Sequence, residues 1–120
     1  MAKESDLYVP VLDACRLLGA MAFRVNAGVF GARHVRSVPV GTPDILGCLR
    51  GRFFGIELKA PKGRLSEGQL AWHTEARHAG ALIVVAQSVN EVVQELRRET
   101  VHAYTKNEYL PTPTGSAHGV

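Results

Sequence analysis

Three residues of this chain have the types and the spacing for hydrolytic chemistry: Asp44, Glu57 and Lys59. They lie on a stretch that reads as a β-hairpin. Residues 45–49 form a short apolar run, Arg50-Gly51 is a turn signal, and residues 52–59 are rich in Phe, Ile and Leu. A two-residue turn at Arg50-Gly51 pairs Leu49 with Arg52, and counting back in step sets Asp44 opposite Glu57. Opposed residues share a face of the sheet, with Cβ atoms roughly 5 Å apart. Lys59, two residues beyond Glu57, points to that face as well. Two adjacent carboxylates repel unless a cation or a proton joins them. Hard oxygen ligands so placed suit Mg²⁺, which takes one or two carboxylates and keeps waters and substrate phosphate oxygens. The chemically inert alternative is an edge-strand salt bridge from Lys59 to Asp44 or Glu57.

Pro43-Asp44 followed by Glu57-Leu58-Lys59 is a P-D…E-x-K pattern, and in this the chain resembles the PD-(D/E)XK nucleases. More narrowly it resembles the VRR-NUC family. That likeness is carried by Gly41-Thr42-Pro43-Asp44-Ile45, Ile56-Glu57-Leu58-Lys59, Leu65-Ser66-x-x-Gln69-x-x-Trp72 and Arg24-Val25-Asn26-x-Gly28, and it covers roughly residues 4 to 90. The resemblance implies a restriction-endonuclease-like core and a Mg²⁺-dependent DNA endonuclease in which Mn²⁺ can substitute. It implies that Asp44, Glu57 and the Leu58 carbonyl hold the metal. An acidic residue of the first helix joins them, and Glu4 is the matching position. It further implies that Lys59 positions or deprotonates the attacking water and that Gln69 faces the site. Small stand-alone relatives look like Holliday junction resolvases that pair, so a homodimer acting on branched DNA is expected. The rival readings are an exonuclease or flap nuclease, and a non-catalytic nucleic-acid-binding module that needs basic residues but not the three together.

The rest of the composition limits the alternatives. A chain of 120 residues is one domain, expected to occupy residues 1–98 with a partly mobile extension over 99–120. The net charge of +3 and pI near 9.1 permit a polyanionic partner. Arg24, Asn26, Arg33, Arg36, Lys62 and Arg64 are the candidates for DNA contact. No apolar run approaches the ~20 residues of a membrane helix, and the opening Met1-Ala-Lys-Glu-Ser-Asp is no signal peptide. Cys15 and Cys48 lack metal-ligand spacing and read as small core residues of a reducing bacterial or phage-infected cytoplasm. The five histidines show no paired zinc spacing, and neither a nucleophile elbow nor a P-loop is present.

The elements that must position the hairpin read as helix, strand, hairpin, helix, strand, helix: an α/β domain with a small mixed sheet flanked by helices. Leu7, Val11, Cys15 and Leu18 form one helical stripe that closes at Gly19, with Ser5 or Asp6 as cap and Pro10 in question. Residues 21–25 are a strand, and 26–39 a long irregular basic loop. Ser66 and Gln69 have capping-box spacing, which accounts for Gln69 without any chemistry. Trp72, Ala76 and Ala79 read as that helix's inner face, ending at Gly80. Residues 81–86 are apolar throughout, as in a strand buried on both faces. Ser88 and Glu91 open a last helix with Val89, Val92, Val93 and Leu96 inward and Arg97 and Arg98 near its end.

Overall fold

The computed structural model describes the backbone of residues 4–25, 29–30, 35–36 and 38–105, and the side chains of 5–25 and 38–99. A 3₁₀ turn (Glu4–Asp6) leads into α1 (Tyr8–Leu17), β1 (Met21–Arg24), β2 (Val29–Phe30), β3 (Val35–Arg36), β4 (Ile45–Leu49), β5 (Arg52–Leu58), α2 (Glu67–His78), β6 (Leu82–Ala86) and α3 (Val89–Thr105). The main sheet runs β1-β4-β5-β6. Its first two pairings are antiparallel, and β5–β6 is parallel with α2 as the crossover. This is the mixed α/β arrangement expected.

The hairpin has the expected register: Leu49 pairs with Arg52 and Ile45 with Ile56. Arg50 and Gly51 both take positive φ, 51° and 84°, the signature of a type I′ turn, whose twist matches that of the flanking strands. Ala22, Ile45, Leu49, Phe54, Ile56, Leu58, Val84 and Ala86 gather on one face. They are buried with Val11 and Cys15 of α1 and Val92 and Leu96 of α3. Burial raises the Cys15 thiol to about 11, so it stays protonated and inert.

Several local expectations change. The cap of α1 is Leu7, with helical φ and ψ and no side-chain cap bond, rather than Ser5 or Asp6. The 3₁₀ turn already feeds the chain into helical geometry, so no extended capping residue is needed. Pro10 falls in the first turn, where its missing N–H has no helical acceptor in any case. Within the expected loop, β2 and β3 form a separate antiparallel pair, Val29 with Arg36 and Phe30 with Val35, as β-branched and aromatic residues favour. The apolar run of β6 is buried on both faces at Ile83 and Val84, as expected, but β6 is an edge strand and Val85 is 43 % exposed. Ser88 Oγ accepts from the Glu91 N–H as expected, but the Glu91 carboxylate accepts from Gln87 N–H, one residue before the box position. Helix α3 continues to Thr105, past the expected boundary at residue 98. Arg97 and Arg98 therefore lie inside it, the latter paired with Glu95. Of the extension expected over 99–120, residues 106–120 lie outside the described residues.

The loop that delivers Asp44 is fixed by a glycine pair. Gly41 has φ of +89°, and a Cβ there would stand 2.1 Å from the Gly68 carbonyl oxygen at the start of α2. Gly41→Ala combines ~1–2 kcal/mol for a left-handed non-glycine residue with ~1–3 kcal/mol of overpacking. The expected loss is about 2–5 kcal/mol by denaturant unfolding. Gly19→Ala, at φ +93° with nothing within 4 Å, isolates the conformational part. Equal losses in the two variants would show that the Gly41–Gly68 approach costs nothing to disturb.

Candidate active site

Pairing brings Asp44 and Glu57 to the same end of the sheet. Asp44 immediately precedes β4, and continuing the ladder past Ile45–Ile56 sets it against Glu57. Leu58 N–H would pair next with β4, but that strand has ended. Asp44 Oδ2 accepts this N–H at 2.8 Å instead. Its other oxygen, Oδ1, accepts from the Tyr8 hydroxyl at 3.3 Å. The Arg24 guanidinium lies over the Tyr8 ring, 3.8 Å from its centroid, a cation–π contact. Arg24, Tyr8 and Asp44 thus form a chain from β1 through α1 to the site.

Glu57 is 2 % exposed. Its Oε1 lies 3.1 Å from His73 Nε2, contributed by α2, and His73 is itself 1 % exposed. The His73 imidazole titrates below its usual range, chiefly because burial disfavours its charged form and secondarily because Arg77 and Lys59 are nearby. It is neutral near pH 7. Lys59 is half-buried, its backbone N–H bonded to Ala86 on β6. In a trans peptide the C=O and N–H point to opposite sides, so the Leu58 carbonyl is directed away from β6, toward the Asp44 side.

This donor set tests the metal that the resemblance implies. Two carboxylates and a peptide carbonyl are all hard oxygens, which fits Mg²⁺ or Mn²⁺ and not zinc. Among the described residues no three His, Cys, Asp or Glu side chains come together as a metal cluster. A cation here would rest on Asp44, Glu57 and the Leu58 carbonyl, with water or phosphate completing its shell. Glu4 lies in the 3₁₀ turn ahead of α1, not on the helix, and its side chain is outside the described residues.

The Gln69 amide oxygen accepts from Ser66 N–H at 2.8 Å, and Ser66 Oγ accepts from Gln69 N–H, closing the capping box. Lys62, Arg64 and Arg24 are exposed, the first two on the loop between β5 and α2. Asn26 and Arg33 lie outside the described residues, as does the Arg36 side chain, although its backbone is in β3.

Comparison with solved structures decides the fold. A structure titled VRR_NUC domain matches with a TM-score of 0.60 and 23% identity, covering 81% of this chain and 97% of that one. The chain has the VRR_NUC fold. The Archaeoglobus fulgidus protein Hjc, a Holliday junction resolvase from an archaeal hyperthermophile, matches with a TM-score of 0.50 and 26% identity, over 70% of this chain and 67% of that one. The restriction-endonuclease-like core is common to both. No family's sequence profile and no curated protein sequence matches the chain.

On this VRR_NUC fold, sequence reasoning overlooked Tyr8 and His73. Tyr8 opens α1, and nothing in its spacing points to residue 44. His73 had a signal. It lies four residues after Gln69 and three before Ala76, on one helical stripe, and it is the residue of α2 that is buried. Trp72, expected as the core residue, is half-buried, and Ala79 is exposed. The inner face of α2 is therefore centred one position later than the apolar pattern suggested.

Proposed function

We propose that this protein is a metal-dependent deoxyribonuclease that hydrolyses phosphodiester bonds, acting as an endonuclease on branched DNA. The observation that supports this most is Glu57: a carboxylate 2 % exposed between Ile56 and Leu58 on the buried part of β5, set against Asp44 and two residues from a lysine. Burying such a charge is costly unless it is put to use or compensated. A purely structural domain has no need for the arrangement.

Asp44 and Glu57 would hold Mg²⁺ together with the Leu58 carbonyl, and Mn²⁺ would substitute. When bound, the ion supplies polarisation of the scissile phosphate and a lowered pKa for water. Lys59 orients that water or takes its proton, and its charge offsets the negative charge that builds on the phosphoryl oxygens. Gln69 supports the lysine or a phosphate oxygen from the start of α2. Arg24, Lys62 and Arg64 contact the DNA backbone, as do Asn26, Arg33 and Arg36.

The likeness to a Holliday junction resolvase supports the branched substrate. Cutting two strands symmetrically requires two sites in a fixed relation, most simply a C₂ homodimer. In the sequence, Val29, Phe30, Tyr104, Tyr109 and Leu110 are the apolar candidates for such an interface, and their side chains lie outside the described residues. Among described residues, Met21, Phe23 and Phe53 are 68 %, 51 % and 45 % exposed. Met21 and Phe53 both pair with Cys48, so they share the sheet face opposite α1 and α3. A second copy of the chain could bury them. No helix among the described residues is long and apolar enough to cross a membrane.

The test is a panel of four-way junction, flapped, single-stranded and linear duplex DNA with Mg²⁺, Mn²⁺ or EDTA, alongside light scattering at micromolar concentration. Expected are a dimer, cleavage of the junction in either metal, none in EDTA, and binding that weakens steeply with salt. A monomer degrading linear ends as fast as junctions would make it an exonuclease or flap nuclease. Binding without cleavage of any substrate would leave the non-catalytic module.

A further inference from the structure

We infer that His73 is a positioning residue for the metal site, holding the Glu57 carboxylate in the orientation in which it can bind the cation. This rests on the nuclease reading above and deepens it. A carboxylate that binds a cation is ionised and can only accept. In that state the contact at 3.1 Å is His73 Nε2–H donating to Glu57 Oε1. The other ring nitrogen, Nδ1, is buried with no hydrogen-bond partner.

An unsatisfied buried polar atom costs stability. Leucine or phenylalanine would fill the same space on α2 without that cost, so packing alone does not account for a histidine. What histidine supplies there is a directed N–H at Nε2. That bond fixes the orientation of the carboxylate that, on the nuclease reading, binds the ion together with Asp44. Hydrogen bonds of this kind to ligating carboxylates orient the ligand, and losing one lowers metal affinity about 10–100-fold. Gln69, on the same stripe one turn earlier, has its amide oxygen committed to the cap. His73 is the α2 side chain shown bonded to Glu57.

The experiment is calorimetric titration of the full chain with Mn²⁺, without DNA, alongside thermal melting of the metal-free protein. His73→Gln places an amide N–H close to where Nε2 sits, whereas His73→Asn draws it back out of reach and His73→Leu removes it. Expected is near-native Mn²⁺ affinity for His73→Gln and an affinity loss of about 10–100-fold for His73→Asn and His73→Leu. If His73→Leu does not fold, the Gln and Asn variants decide. A merely structural role would shift the melting temperatures and leave all Mn²⁺ affinities alike, which overturns the inference while wild-type binding keeps the nuclease reading. Wild-type protein that binds no Mn²⁺ overturns both.

Discussion

Glu57→Gln should abolish cleavage while leaving the fold and DNA binding nearly intact. The substitution keeps the size of the side chain, and the amide oxygen can still accept from His73 Nε2, 3.1 Å from Oε1 in the native protein. Under the proposed function it removes one of two anionic ligands. Metal stabilisation of the transition state is worth several kcal/mol, and each ~1.4 kcal/mol is a factor of ten in rate. The loss should therefore reach at least about three orders of magnitude. Asp44→Asn should behave alike, because an amide oxygen can replace Oδ2 as acceptor of the Leu58 N–H. A labelled-junction assay with Mn²⁺ calorimetry reads both effects. Full activity in either variant would remove that carboxylate from the site.

Lys59→Ala should lower turnover by roughly two to four orders of magnitude, the range for losing an acid–base or charge-stabilising group. Mn²⁺ binding should survive, since none of the proposed metal ligands is touched. The fold should survive too. The backbone N–H of Lys59 is tied to Ala86 whatever the side chain, and the side chain is only half-buried. Turnover is read by single-turnover kinetics and stability by melting. Activity that falls only in proportion to lost stability would return Lys59 to a structural ion pair.

The parts of the fold that the sequence carried were those set by local rules. The hairpin register follows from turn length and the period of two, which fixes partners by counting. The α2 cap follows from the spacing of Ser66 and Gln69. The legible half of the candidate site, Asp44, Glu57 and Lys59, sits on or beside that hairpin. Tyr8 and His73 come from helices on either side of the sheet, and their reach depends on how those helices dock, which no local pattern encodes. The apolar run of 81–86 does mark a strand buried on both faces at Ile83 and Val84. Hydrophobicity does not show whether a neighbour lies on both edges, and β6 has one.

Under the proposed function Asp44 has two tasks, and they would separate under relaxed selection. Its carboxylate closes the end of the sheet by accepting the Leu58 N–H at 2.8 Å, and leaving that donor unpaired would cost about 1–3 kcal/mol. Lineages that stopped cutting DNA would still be penalised for losing Asp44. Glu57 and His73 carry the opposite pressure, because a buried carboxylate and an orphaned ring nitrogen burden a fold that no longer uses them. Drift should turn that pair apolar and release Lys59 without penalty. An inactive descendant of this fold would thus keep its Pro-Asp and lose its Glu-x-Lys, so the surviving half of the motif records ancestry and the vanishing half records activity.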